Sequence, residues 1–171
     1  LLVRTGVDGL HGRGAAFEAV VEGVDRLVTA LGRADRAEVM RFPPGMSRPA
    51  FERSGYLKGF PHLAGTVHSF CGDAADHARM LACVEAGKDW TDKQAATDIV
   101  LTPAACYPIY PTAAARGPLP QGGPLFDLQS YCFWHESSLE PIRMQLFRTR
   151  EYVRMGSPDE GLAFRERWIE R

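Results

Sequence analysis

From Ala15 onward, hydrophobic residues recur at three- and four-residue spacing. Phe17, Val20, Val21, Val24, Leu27, Val28 and Leu31 form one apolar stripe, and Gly32 offers a stop, so the pattern predicts an amphipathic helix. "AEVMRFPPGM" predicts a short strand closed by Pro43 and Pro44, neither of which can donate to a ladder. "SRPAFERSGYLKGFPHLAG" reads as a loop. Residues 73–86 predict a second helix with Asp73 as its cap. "TDIVLTPAACYPIYP" is a β-branched run that breaks into a proline-spaced loop, "GPLPQGGP" is a turn, and "LFDLQSYCF" alternates as a strand does. The tail from Ser157 to Arg171 predicts a helix, with Ser157 as cap and Pro158 at its first position.

The segment from Arg143 to Met155 fits two patterns. Arg143, Phe147 and Glu151 are four residues apart, which places them on one face of a helix. The spacing is also even, which places them on one face of a strand. Periodicity does not choose between the two.

Composition narrows the class of protein. The chain has 171 residues, 45% of them hydrophobic, enough for one domain with a core. A net charge of −1 argues against a surface built to grip nucleic acid. The basic residues are 17 Arg and 3 Lys, a bias toward the side chain that holds carboxylates and phosphates bidentately. Cys71, Cys83, Cys106 and Cys132 show no CxxC pairing and suit a reducing compartment. No apolar run reaches membrane-spanning length and no secretory leader opens the chain, so a cytoplasmic setting is expected. The first residue is Leu rather than Met, and a cut terminus is expected. "GVDGLHGRG", residues 6–14, is glycine-rich but lacks the GK[ST] ending of a phosphate loop, so it reads as a flexible lead-in.

Three stretches occur in an informative order: "AEVMRFPP…GYLKGFPHLAG", "LTPAACYP" and "FWHE…RMQLFRTRE". They resemble the landmarks of class II aminoacyl-tRNA synthetases of the seryl type: motif 1, the amino-acid recognition loop and motif 2. "TGVDGLHGR", "GTVHSFCGD", "DWTDKQAATD", "LTPAACYPIYP" and "REYVRMGSP" resemble a stand-alone offshoot, the amino acid:[carrier protein] ligases. The resemblance covers nearly the whole chain. It implies an α+β fold, a class II synthetase-like antiparallel sheet flanked by helices and incomplete at the C-terminus. Residues 1–171 would be the N-terminal part of one catalytic domain, with motif 1 around 15–44, the amino-acid loop at 101–108 and motif 2 around 126–155. In motif 2 two antiparallel strands are joined by a loop, which selects the strand reading for 143–155.

The same resemblance implies a chemistry. Such ligases activate a small amino acid with ATP and Mg²⁺, then pass it to the phosphopantetheine thiol of a carrier protein instead of to tRNA. Cys106 and Glu151 fall at two of three zinc-ligand positions, and the third ligand lies beyond residue 171. Two thiolates and a carboxylate hold Zn²⁺ and leave a fourth position for the substrate amine. Without the resemblance, Cys106 reads as a small buried hydrophobe and Glu151 as a solvated charge. Cys71, Cys83 and Cys132 match no ligand position and read as core residues. Phe147 matches the aromatic on which adenine stacks, Glu136 the motif 2 glutamate near the adenine amino group, and Arg143 a loop cation offered to ATP. The motif 1 resemblance implies a homodimer.

Two departures stand out. Where the family carries Phe-Arg-x-Glu, this chain has "FWHE", so Trp134 replaces the arginine that spans the α-phosphate and the amino acid carboxylate. One lost preorganised donor commonly costs about 10²- to 10³-fold in rate. Motif 3, with the second ATP-binding arginine, is missing, so the 171 residues alone are expected to be inactive. A degenerate, non-catalytic dimerisation or carrier-binding module is the alternative. A true seryl-tRNA synthetase is disfavoured by Cys106 in the glutamate position, by the lack of a long heptad-bearing arm, and by the near-neutral charge.

Overall fold

The structure is a computed structural model that describes residues 1–171. In chain order the elements are β1 (Leu2–Arg4), β2 (His11–Arg13), α1 (Ala15–Gly32), β3 (Glu38–Arg41), β4 (Gly45–Ser47), α2 (Arg48–Arg53) and α3 (Tyr56–Gly59). Then follow β5 (Thr66–Phe70), α4 (Ala74–Glu85), β6 (Gln94–Leu101), α5 (Ile109–Ala115), β7 (Leu125–Phe133), β8 (Leu146–Arg154) and α6 (Pro158–Ile169). The fold is α+β.

The central sheet has the order β3-β7-β8. β7 and β8 pair antiparallel from Leu125↔Arg154 to Phe133↔Leu146, and β3 joins β7 in parallel. Leu146–Arg154 of the ambiguous 143–155 segment is therefore a strand, as the motif 2 resemblance implies. A second sheet, β4-β6-β5, is antiparallel, and β1 pairs with β2 in a small hairpin.

Alternation along β7 and β8 sorts their side chains onto two faces. One face carries Phe126, Leu128, Ser130 and Cys132 with their partners Val153, Glu151, Thr149 and Phe147. Phe126, Leu128 and Cys132 join Ala105 and Ile109 in a fully buried cluster there. The other face carries Asp127, Gln129 and Tyr131 beside Tyr152, Arg150 and Arg148. That second face is polar because α1 meets it through charges. Arg148 donates to Glu18 at 2.6 Å, Gln129 to Asp25 at 3.0 Å, and Arg150 holds Asp127 at 3.0 and 2.7 Å.

The long helix forms where the spacing predicts it, but its apolar stripe turns inward only in part, through half-buried Phe17, Val21, Val28 and Leu31. Val20, Val24 and Leu27 are 65%, 53% and 58% exposed, and only Gly32 of the whole helix is buried. Gly32 also does not stop the helix by adopting a left-handed turn, since its φ is −83°. It is glycine because a Cβ would sit 2.3 Å from the Tyr152 hydroxyl. The chain continues as a 3₁₀ turn, Arg33–Asp35, and breaks at Arg36, whose φ is +49°.

Both expected helix caps form complete capping boxes. Asp73 accepts from the Asp76 amide and Ser157 from the Glu160 amide, with the reciprocal bonds present. Two readings change. The expected loop from Ser47 to Gly65 contains β4's last residue, α2 and α3, because Phe51 and Tyr56 are buried against Met46 and Val100. The expected flexible lead-in is docked: the Gln145 amide donates to Gly9 O at 2.7 Å, and the Gln145 side chain to Asp8 O at 2.7 Å. Gly9 is required there, with φ +75° and a Cβ position 2.9 Å from Gln145 Cγ.

The accessible surface is 11150 Å² for 18.9 kDa. A folded monomer of that mass exposes about 8,300 Å². Only 18 of 171 residues are buried, so the chain presents much surface that is available to be covered.

Candidate active site

The first face of the β7–β8 ribbon and the loop after β6 enclose the predicted site. β6 delivers its β-branched run to the sheet and ends at Leu101, and "TPAAC" then crosses the mouth of the ribbon. Hydrogen bonds tie this loop down along its length. Thr102 O accepts from the Phe133 amide at 2.9 Å, and the Thr102 amide donates to Pro44 O at 3.0 Å. The Pro103 carbonyl accepts from Trp134 Nε1 at 2.9 Å. The Ala105 amide donates to Glu151 Oε1 at 2.8 Å. The result is that Cys106, the next residue, sits beside Glu151, although 45 positions separate them in "LTPAACYP" and "REYVRM".

The electrostatics of this pair are specific. Burial pushes the Cys106 thiol up to about 12, and the Glu151 carboxylate beside it adds to the rise. The Tyr110 hydroxyl also reaches about 12, through burial and then through Cys106. Without a cation, Cys106 is therefore a neutral thiol at physiological pH. A soft divalent cation reverses that preference, since thiolate coordination deprotonates the group outright. The chain contains no group of three His, Cys, Asp or Glu able to hold a metal ion. Cys106 and Glu151 lie side by side as two donors, and no third His, Cys, Asp or Glu joins them, so the expected zinc site is not supported.

A cleft of about 630 Å³ opens beside Cys106, lined by Ala50, Arg53, Ser54, Tyr107, Tyr110 and Pro111, with Ala114 at its edge. Sequence reading passed over Tyr107 and Tyr110. The signal was the tyrosine-proline repeat "CYPIYP", which keeps two rings adjacent to Cys106.

Farther along the ribbon, Phe147 lies opposite Cys132 and meets Trp134 edge-on, with ring centroids 5.1 Å apart. Glu136 and Arg143, assigned to ATP by resemblance, form an ion pair with each other across the β7–β8 loop. Glu140 also approaches Arg143, at 3.5 Å. Both partners of the pair are substantially exposed, so water and ligand can compete for them. The arginines of β8 point away from the site: Arg148, Arg150 and Arg154 all lie on the α1 side, by alternation. The site face of the two strands therefore carries no guanidinium.

The other cysteines separate. Cys132 is fully buried and its Sγ lies 3.1 Å from Thr149 Oγ1, as expected of a core residue. Cys71 is exposed and Cys83 half-buried, so the core reading fails for both. They lie at the start and on the flank of α4, a helix with no buried residue.

No protein-family profile matches the sequence. The chain is 48% identical over 166 residues to amino acid–[acyl-carrier-protein] ligase 1 of Bradyrhizobium diazoefficiens, covering 97% of this chain and 51% of that protein. It is 48% identical over 166 residues to ligase 2 of the same organism, covering 97% and 49%. The chain thus spans about half the length of the curated relatives it matches. Among solved structures, M. kandleri SerRS, in complex with A. aeolicus tRNASec, superposes with a TM-score of 0.80 at 19% identity, over 99% of this chain and 34% of that one. Giardia lamblia prolyl-tRNA synthetase in complex with prolyl-adenylate superposes with a TM-score of 0.73 at 14% identity, over 99% and 31%. At such identities the likeness is one of fold.

Proposed function

Because this chain is a homologue of the amino acid–[acyl-carrier-protein] ligases and has a class II aminoacyl-tRNA synthetase fold, we propose that the protein it represents is an ATP-dependent ligase. It activates a small amino acid of the glycine or alanine type. The amino acid carboxylate attacks the α-phosphate of ATP, pyrophosphate leaves, and the carrier protein's phosphopantetheine thiol then takes the aminoacyl group with release of AMP. The observation that carries this reading is the Ala105–Glu151 hydrogen bond, which holds Cys106, a lining residue of an open cleft, beside Glu151.

Cys106 and Glu151 would hold Zn²⁺ with one further ligand from outside the 171 residues. The ion, when bound, supplies a Lewis-acidic position that fixes the substrate's free amine. The chain's own residues do the rest. Glu151 anchors the amino-acid loop, Phe147 offers a ring to adenine, and Glu136 and Arg143 exchange their mutual contact for ATP and its Mg²⁺. The exposed Val20, Val24 and Leu27 stripe on α1 fits a homodimer contact. No helix is long and apolar enough to cross a membrane, and the setting we propose is cytoplasmic. We propose no role for tRNA.

The test is zinc analysis together with amino-acid-dependent pyrophosphate exchange on the intact gene product. Bound zinc and exchange with one small amino acid are expected. Zinc without exchange for any amino acid would reject the ligase reading. It would favour the second reading, a non-catalytic carrier-binding or dimerising module, which Trp134 and a site face without a guanidinium support.

A further inference from the structure

Trp134 stands where a phosphate-binding guanidinium is expected, yet its indole has a defined partner. Its single donor is committed to the Pro103 carbonyl at 2.9 Å, and its ring edge rests on Phe147. Indole has no second N–H with which to reach a ligand. The bond lands in the middle of the amino-acid loop, between the tie at Thr102 and the tie at Ala105. Pro103 has no amide hydrogen, so its carbonyl is the only backbone group through which this residue can be fixed. Thr102 offers no help from its side chain, because its buried Oγ1 makes no hydrogen bond.

We propose that Trp134 is a positioning residue: its indole N–H straps the Pro103 carbonyl to the end of β7 and so holds Cys106 in register with Glu151. The substitution therefore exchanges a charge aimed at ligand for a tether aimed at the loop. The meaning of the tether for catalysis rests on the ligase reading, but its existence does not. The structural consequence is local to the buried cluster that Ala105 shares with Cys132, whereas Cys71 and Cys83, just before and on α4, lie outside that cluster.

Site-resolved alkylation of the intact protein by iodoacetamide, followed by peptide mass spectrometry, tests this without any turnover. Two variants are compared with the parent: Trp134→Phe, and replacement of Trp134 alone by benzothienylalanine, which keeps the bicyclic shape and lacks the N–H. Loss of one net hydrogen bond should open the loop and accelerate Cys106 alkylation about three- to tenfold in both. Half-buried Cys83 and exposed Cys71, both outside the cluster, should react at their parental rates. Acceleration in the Phe variant alone would assign the effect to packing on Phe147 and overturn the proposal. So would no acceleration in either, or an equal acceleration at Cys83, which reports general loosening. Absence of pyrophosphate exchange would reject the ligase reading and leave this result standing.

Discussion

The Ala105 amide donates to Glu151 Oε1 at 2.8 Å, joining the amino-acid loop to the middle of β8. Glu151 thus has two tasks, one structural and one proposed for the metal. Glu151→Ala should destabilise the fold by about 1.5–3 kcal/mol, the range for a hydrogen bond to a charged group. Glu151→Gln keeps an acceptor and should cost less. On the intact protein both should lower zinc affinity at least about tenfold. Urea unfolding and competition with a chelating dye measure the two effects separately.

Arg150 and Asp127 form the most enclosed ion pair, with side chains 11% and 5% exposed. Asp127→Ala leaves a guanidinium largely out of water with only partial compensation from Asp25. We expect a loss of about 3 kcal/mol in urea unfolding. Asp127→Asn should lie between the two.

The stripe on α1 should matter to assembly and not to the fold of the monomer. Val24→Asp and Leu27→Asp each place a charge where 53% and 58% exposure says the monomer needs no burial. Light scattering after gel filtration should show dimers for the parent protein and monomers for the variants, with circular dichroism unchanged. Dimers that persist in both variants would remove α1 from the interface.

The Glu160 carboxyl is held below the usual carboxylate range by the Ser157 amide, which donates to it at 2.8 Å. A depressed carboxylate contributes stability that is fully present above its unfolded value, near 4.5, and is lost as pH falls through the lower folded value. Stability measured from pH 7 down to below 4 should fall on the acid side. Ser157→Pro, which removes the donating amide, should flatten the part due to this pair.

Trp134→Arg restores the expected guanidinium to the site face. Under the proposed ligase reading, pyrophosphate exchange by the intact protein should rise, by up to about 10²-fold. No gain with Cys106 alkylated at its parental rate would support the non-catalytic reading, whereas no gain with faster alkylation would report loss of the Pro103 tether.

The features legible in the sequence were those set by near neighbours. Asp73 and Ser157 signal helix starts because a cap and its partner lie three residues apart, and the alternation of "LFDLQSYCF" needs only its own strand. Residues 143–155 were not legible from period alone, since a spacing of four satisfies both a helix and a strand. Only similarity of the whole segment to motif 2 selected the strand. The short helices α2 and α3 escaped because four to six residues carry too little pattern, and they exist through the burial of Phe51 and Tyr56. In the site, the pairing of Cys106 with Glu151 was reached through resemblance. The Trp134–Pro103 bond was out of reach, because its acceptor is a backbone carbonyl 31 residues away that no side-chain pattern marks.

The sorting of β8 has an evolutionary consequence. Because successive residues face opposite ways, a one-residue slip against β7 would swing Arg148, Arg150 and Arg154 to the site face and carry Phe147 and Glu151 out of it. A slip in register would thus gain charge only by dismantling the site that the charge should serve. The route back to a cationic phosphate contact that leaves the ribbon intact is a codon change at the end of β7, at position 134.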